Sequence, residues 1–188
     1  MSRVVVFTLA YTFLLLAYGL VADSPLTLLY TGVNLGLMGL LALLHRSITW
    51  SPRALWSASL VGLGNMLGGV ILIGGRTLYL TNVIGPVGYD KIYHFAAAAG
   101  LSLLAWEAVE KIAGPGARGG VAGLPMLVWL TVLGGGAVVE IAEFIGASIG
   151  DVNVGDYVNN ALDLVANATG ALLGVFLVAK TRHIPARP

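Results

Sequence analysis

Residues 155–180 read GDYVNNALDLVANATGALLGVFLVAK. Its second half, Ala171–Ala179, contains only apolar and small residues, whereas its first half carries Asp156, Asn159, Asn160, Asp163 and Asn167 three or four positions apart. That spacing stacks side chains on one face of an α-helix. The stretch therefore predicts a membrane-crossing helix with a polar stripe along its first turns. A carboxylate deep in hydrocarbon costs at least about 2.5 kcal/mol, so the stripe must face other helices or a water-filled cavity. The fold that follows is an all-α bundle with a polar interior.

The rest of the chain agrees. Of 188 residues, 57% are hydrophobic and 10% charged, whereas soluble domains are about a quarter charged. A net charge of +1 supplies no electrostatic footprint for nucleic acid. The absence of cysteine excludes disulfides, thiolate metal sites and Cys nucleophiles. Six apolar stretches approach the roughly 20 residues needed to cross a bilayer: Val4–Val21, Leu26–Leu44, Ala54–Gly74, Ile92–Ile112, Met126–Ile149 and Tyr157–Ala179. The first exceeds the roughly 7–15 apolar residues of a signal-peptide core and reads as a span.

Arg3, Arg46, Arg53, Lys111, Arg118, Lys180, Arg182 and Arg187 fall on one side of these spans, and only Arg76 and Lys91 on the other. The positive-inside rule then puts both termini in the cytoplasm of a multi-pass cell-membrane protein. Trp50, Trp56, Trp106 and Trp129 are expected at the cytoplasmic interface, and Tyr79, Tyr89, Tyr93 and Tyr157 at the outer one. The expected organisation is one transmembrane domain over residues 1–188. Helices 1–3 (residues 1–75) form its scaffold, and helices 4–6 (residues 89–180) carry the polar site.

Spans one to three contain no acidic residue, and their polar amides are Asn34 and Asn65. The pairs Gly32/Gly36, Gly64/Gly68, Gly146/Gly150 and Gly170/Gly174 have the four-residue spacing that lets neighbouring helix backbones approach. Gly134-Gly135-Gly136 admits close packing or a kink. The connection Gly75–Asp90 reads either as a cap over the outer helix ends or as a solvated loop. Glu107, near the cytoplasmic interface, is expected to pair with Lys111 or reach water. The sequon Asn167-Ala168-Thr169 lies inside a span, out of reach of glycosylation.

At about 1.5 Å of rise per residue, the fixed topology gives each polar residue a depth. Asp90 lies at the outer surface, with His94 roughly 6 Å below it. Glu143 and Glu140 lie roughly 10 and 15 Å beneath the outer end of span five, and Asp163 and Asn167 roughly 10 and 16 Å below Asp156. Three helices thus present carboxylates, an imidazole and amides in one outer-leaflet layer. Crowded carboxylates in a low-dielectric layer do not all ionise unless a cation neutralises them. Lys91 and Arg76, at the rim, can each reach one acid. Shared protons, water or a bound divalent metal ion must account for the rest. Oxygen-rich sites suit Mg²⁺, Ca²⁺ or Mn²⁺, and carboxylates with one His also suit Zn²⁺ or Fe²⁺. The candidate ligands are Asp90, His94, Glu140, Glu143, Asp156 and Asp163, supported by Asn159, Asn160 and Asn167.

These residues also carry a family resemblance. Tyr89-Asp90-Lys91-Ile92-Tyr93-His94-Phe95, then Glu107, Glu140-Ile141-Ala142-Glu143, and Gly155-Asp156 with Asp163 resemble the YjdF-like inner-membrane proteins of unknown function. Asn159 stands where that pattern usually has an Asp. Asp163, Asn167 and Gly170, with the Asp90/His94 start, more distantly resemble the VanZ-like proteins linked to glycopeptide resistance. The resemblance covers roughly residues 89 to 170; it implies a cell-envelope membrane protein and brings no reaction with it.

Three functions are compatible with the sequence. One is a metalloenzyme acting on a lipid or amphiphilic envelope substrate, with His94 or Glu143 as general base. Another is a cation- or proton-coupled transporter, although no internal repeat is visible. The third is a non-catalytic envelope protein whose polar cluster fixes helix packing.

Overall fold

A computed structural model describes residues 2–114, 123–149 and 157–182. It contains six long helices: α1 Ser2–Val21, α2 Thr27–Ile48, α3 Pro52–Val70, α4 Tyr89–Ala113, α5 Gly123–Ile149 and α6 Tyr157–Arg182. Five of them, all but α3, are long and apolar enough to cross a membrane. The chain divides into two compact units, Met1–Tyr93 and His94–Pro188.

In the first unit, α1, α2 and α3 pack on one another. Their shared interior holds an uncharged hydrogen-bond network. Asn34 on α2 donates through Nδ2 to Thr12 Oγ1 at 2.8 Å and accepts from the Tyr11 hydroxyl at 3.3 Å. Thr8 and Ser59 join α1 to α3 at 2.7 Å. In hydrocarbon such contacts hold helices together where apolar surface gives no preference for protein over lipid. Ser51 caps α3 by accepting from the Ala54 amide, with Pro52 preset for the first helical position.

The apolar reading of span three runs to Gly74, but α3 ends at Val70. Residues 72–77 instead form a short antiparallel hairpin, β1 Leu72–Ile73 with β2 Arg76–Thr77. Gly74 and Gly75 turn it at φ +59° and +80°, a conformation that L side chains rarely adopt. A 3₁₀ turn at Leu78–Leu80 and a second hairpin, β3 Asn82–Ile84 with β4 Val87–Gly88, complete the connection to α4. It is neither a plain loop nor shapeless. Tyr79 anchors it by donating to Asn65 Oδ1 at 2.7 Å. Burial pushes the Tyr79 phenol well above its ordinary pKa, and Tyr93, Tyr30, Tyr89 and Asp90 add to the effect. The hydroxyl therefore stays a donor.

The glycine pairs divide by use. Gly64 and Gly68 do receive neighbours, but these are the rings of Tyr93 and Tyr79, not a second backbone. Among the described residues nothing lies within 4 Å of a Cβ placed on Gly32 or Gly36, so neither forms the expected seam. In the second unit the seam is real. A Cβ on Gly170 would land on the Phe95 carbonyl, and one on Gly174 on that of Ala99. These paired positions advance together, so α4 and α6 run parallel. Ser102, fully buried, adds a hydrogen bond to the Ala171 carbonyl at 3.3 Å. Gly150 lies outside the described residues.

Two of the tryptophans are buried within the protein. Trp106 is 4% exposed and packs with Leu124, Val128, Val175 and Val178 in the core of the second unit. Trp50 is buried and its ring stacks on His45. Trp129 spends its indole N–H on the Ala168 carbonyl at 2.9 Å, joining α5 to α6.

Candidate functional site

The site grows from the α4–α6 seam. Because glycines let the two helices touch near residues 95 and 170, the turns just before that contact bring His94 against Asp163 and Asn167. On α5, Gly136 leaves room that a Cβ would fill, at 2.7 Å from Asn167 Nδ2. This is the one glycine of the 134–136 run with such a neighbour, and α5 continues through it as a helix. One turn further along α5 stands Glu140.

His94 is the hub. Its Nδ1 faces Glu140 Oε1 at 3.6 Å and Asn167 Oδ1 at 3.3 Å; its Nε2 faces Asp163 Oδ1 at 3.8 Å. The remaining oxygen of Asp163 accepts from Asn159 Nδ2 at 2.8 Å. Asp163 is 1% and Glu140 3% exposed, and His94 and Asn167 are buried with them. Asn167 Nδ2 is a buried donor with no hydrogen-bond partner among the described residues.

Asp90 stands one helical turn before His94 on α4, its carboxylate 2.7 Å from the Lys91 ammonium. With Glu140, Asn160 borders a cavity of about 340 Å³ between α5 and α6. Glu143 is half-buried, a turn beyond Glu140. Asp156 lies outside the described residues.

Glu107 does not pair with Lys111 as expected. Arg182 at the end of α6 grips both Glu107 Oε1 at 3.0 Å and Glu110 Oε2 at 2.7 Å. The fork of the guanidinium suits two acids a turn apart. Its partner could not be found by sequence spacing, because the contact spans 75 residues.

Six long helices, five of them apolar enough to span, with charged side chains gathered in their interior, define a polytopic helical membrane protein. The chain belongs to the family of predicted membrane proteins DUF2238, whose model matches residues 3–183. The YjdF-like resemblance falls within that family. No curated protein and no solved structure matches the chain.

Proposed function

We propose that His94 and Asp163, with Asp90 as a candidate third ligand, bind a divalent cation, and that the protein uses it as a cell-membrane enzyme on a lipid or amphiphilic envelope substrate. One observation carries the reading: the two edges of the His94 ring face different partners. Nε2 faces Asp163, while Nδ1 faces Glu140 and Asn167. Metal-bound histidines commonly have this arrangement, with the far ring nitrogen held by a carboxylate or carbonyl that fixes the tautomer. Donors bound tetrahedrally at about 2.0–2.1 Å stand roughly 3.4 Å apart, so the 3.8 Å gap between Nε2 and Asp163 Oδ1 needs only a small contraction. Asn159 holds Oδ2, and Oδ1 is the oxygen that faces His94 Nε2.

On this reading Glu140 orients His94 instead of ligating. A bound cation would polarise an ester or phosphate oxygen or activate water. Glu143, nearer the surface, is the candidate general base. The positive-inside pattern places this chemistry in the outer leaflet. Cys labelling on the cysteine-free background should mark Asp23→Cys from outside and Arg46→Cys from inside; the reverse would put the site in the inner leaflet.

The same geometry favours a second reading. A protonated imidazole between Glu140 and Asp163 would form a purely structural ion network. Elemental analysis of protein purified without chelator, followed by titration of Mn²⁺, Zn²⁺ and Ca²⁺, separates the two. The metal reading expects about one ion per chain and binding that tightens as pH rises, since ligands must shed protons first. Absence of bound metal, with no ion-dependent gain in melting temperature, would leave the structural network. Transport has less support, because Glu107, the acid that would extend a charged path, is tied to Arg182.

A further inference from the structure

The connection between α3 and α4 has a composition of its own. From Thr77 to Tyr89 it contains no charged side chain. Residues 82–87 are all exposed, among them Ile84 at 66%, Val83 at 52% and Val87 at 41%. Ile84 and Val87 face each other across the second hairpin. In the first hairpin Leu72 pairs with Thr77, and Ile73 with Arg76. Cross-strand partners share a face of the ladder. Thr77 is buried on the inner face, whereas Ile73 and Arg76 are exposed together on the outer one. Hairpin edges that meet water are commonly blunted with charge. Here the tips carry apolar side chains and a single cation, Arg76.

Contacts inside the first unit fix how far these hairpins stand from the helices. The ends of α1 and α3 lie level, because a Cβ on Gly19 would touch Val70. The Leu72 amide donates to the Tyr18 hydroxyl at 3.4 Å, roughly 4.5 Å of helical rise short of the end of α1 at Val21. Tyr79, between the hairpins, donates to Asn65, roughly 7.5 Å short of the end of α3 at Val70. The hairpin bases are therefore sunk among the last helical turns. Strands of two or three residues reach at most about 7–10 Å beyond such bases. The 20 residues of α1 make it about 30 Å long, which is the hydrocarbon thickness, and headgroups add roughly 5–7 Å on each side. The tips thus fall within the headgroup layer of the bilayer that covers the exposed apolar faces of α1 and α2. Tyr18, exposed and with its hydroxyl at a hairpin base, occupies the level where interfacial tyrosines gather.

We infer that the α3–α4 connection is an interfacial anchor whose occupant is the phospholipid headgroup layer. Ile73, Val83, Ile84 and Val87 lie among headgroups and first methylenes, as the apolar faces of interfacial segments do. The Arg76 stem runs beside Ile73 while its guanidinium donates to lipid phosphate. This anchor uses none of the residues of the proposed metal site and does not depend on a metal.

The chain has no cysteine, so Ile73→Cys, Ile84→Cys and Val87→Cys variants of the full chain can each carry one nitroxide in phosphatidylcholine nanodiscs. Collisions with oxygen, which partitions into lipid, and with a water-soluble nickel chelate give each label a depth. Lipids spin-labelled at the headgroup and along the acyl chain calibrate the scale. All three labels should lie at or below the headgroup standard, with nickel collisions several-fold rarer than for the free label in buffer. Adding Arg76→Gln should shift the Ile73 label toward water; an unmoved label would overturn the role given to Arg76. Nickel collisions as frequent as in buffer would put the tips in water and overturn the anchor. Labels immobilised and reached by neither reagent would mean that a protein partner or a second copy covers the tips, which overturns it too. If a labelled variant folds poorly, hydroxyl-radical footprinting of the unaltered chain, one per disc, decides. Protection of Val83, Ile84 and Val87 supports the anchor, and heavy oxidation there overturns it.

Discussion

The two units bury polar groups of opposite kinds. In the first the buried polar side chains, Thr8, Thr12, Asn34 and Ser59 among them, are neutral; Thr8 meets Ser59 at 2.7 Å and Asn34 meets Thr12 at 2.8 Å. In the second they include His94, Glu140 and Asp163, all ionisable and separated by 3.6 to 3.8 Å. A neutral network satisfies its donors internally and asks for nothing further. Ionisable groups buried together in a low-dielectric interior are costly unless paired, protonated or joined by an ion. The contrast separates a unit whose buried polarity is neutral from one whose buried polarity is ionisable.

Breaking the second unit should give the largest effect. Asp163→Asn is expected to weaken metal affinity by more than the roughly 10–100-fold typical of outer-shell losses. Calorimetric titration of the purified protein checks this. Unchanged affinity would remove Asp163 from the ligand set and blur the contrast between the units.

Next in size comes the seam that positions the site. Gly170→Ala puts a methyl on the Phe95 carbonyl, so it should cost about 1–3 kcal/mol, as overpacking does. It should also impair metal binding, because the α4–α6 contact sets where His94 meets Asp163. A loss of thermal stability with intact binding would mean that the site does not depend on the seam.

A smaller effect is expected from Asn34→Ala, which removes its bonds to Thr12 Oγ1 and from the Tyr11 hydroxyl, while Thr12 keeps its bond to the Thr8 carbonyl. Interhelical hydrogen bonds in membranes contribute about 0.6 kcal/mol on average and about 1.7 at most. Denaturant titration in detergent should show a loss in that range, with metal affinity unchanged. Altered metal affinity would contradict the division of labour. The smallest effect belongs to Gly32→Ala, where a methyl meets nothing within 4 Å; stability should move by less than about 0.5 kcal/mol.

Particular residues show how far the sequence could be read. The five spanning helices follow from apolar runs of the right length. The end of α3 does not, because Ile71, Leu72 and Ile73 are apolar enough to prolong a hydropathy reading while Gly74-Gly75 turns the backbone into a hairpin. Periodicity puts Asp163 and Asn167 on one face, and both turn toward His94. Asn160, in the same row, borders the α5–α6 cavity together with Glu140. Glycine spacing alone could not distinguish Gly170, pressed on a backbone, from Gly32, which meets nothing. The tyrosine cluster around Tyr79 was also hidden, since its members are brought together by the hairpin connection and α3, not by spacing.

The parallel pairing of α4 with α6 has a consequence for biosynthesis. Asn167, a partner of His94, is made 73 residues after it. At about 5–20 residues per second, the ribosome needs roughly 4–15 s to cover that distance. During that interval α4 is present without α6, carrying an imidazole and a carboxylate, and it is the least apolar of the five spanning helices. Its buried polar groups therefore gain their α6 partners only at the end of synthesis. Translation pauses or insertase supply between α4 and α6 should then govern yield more strongly than they do for α1 to α3, whose buried polar groups are neutral.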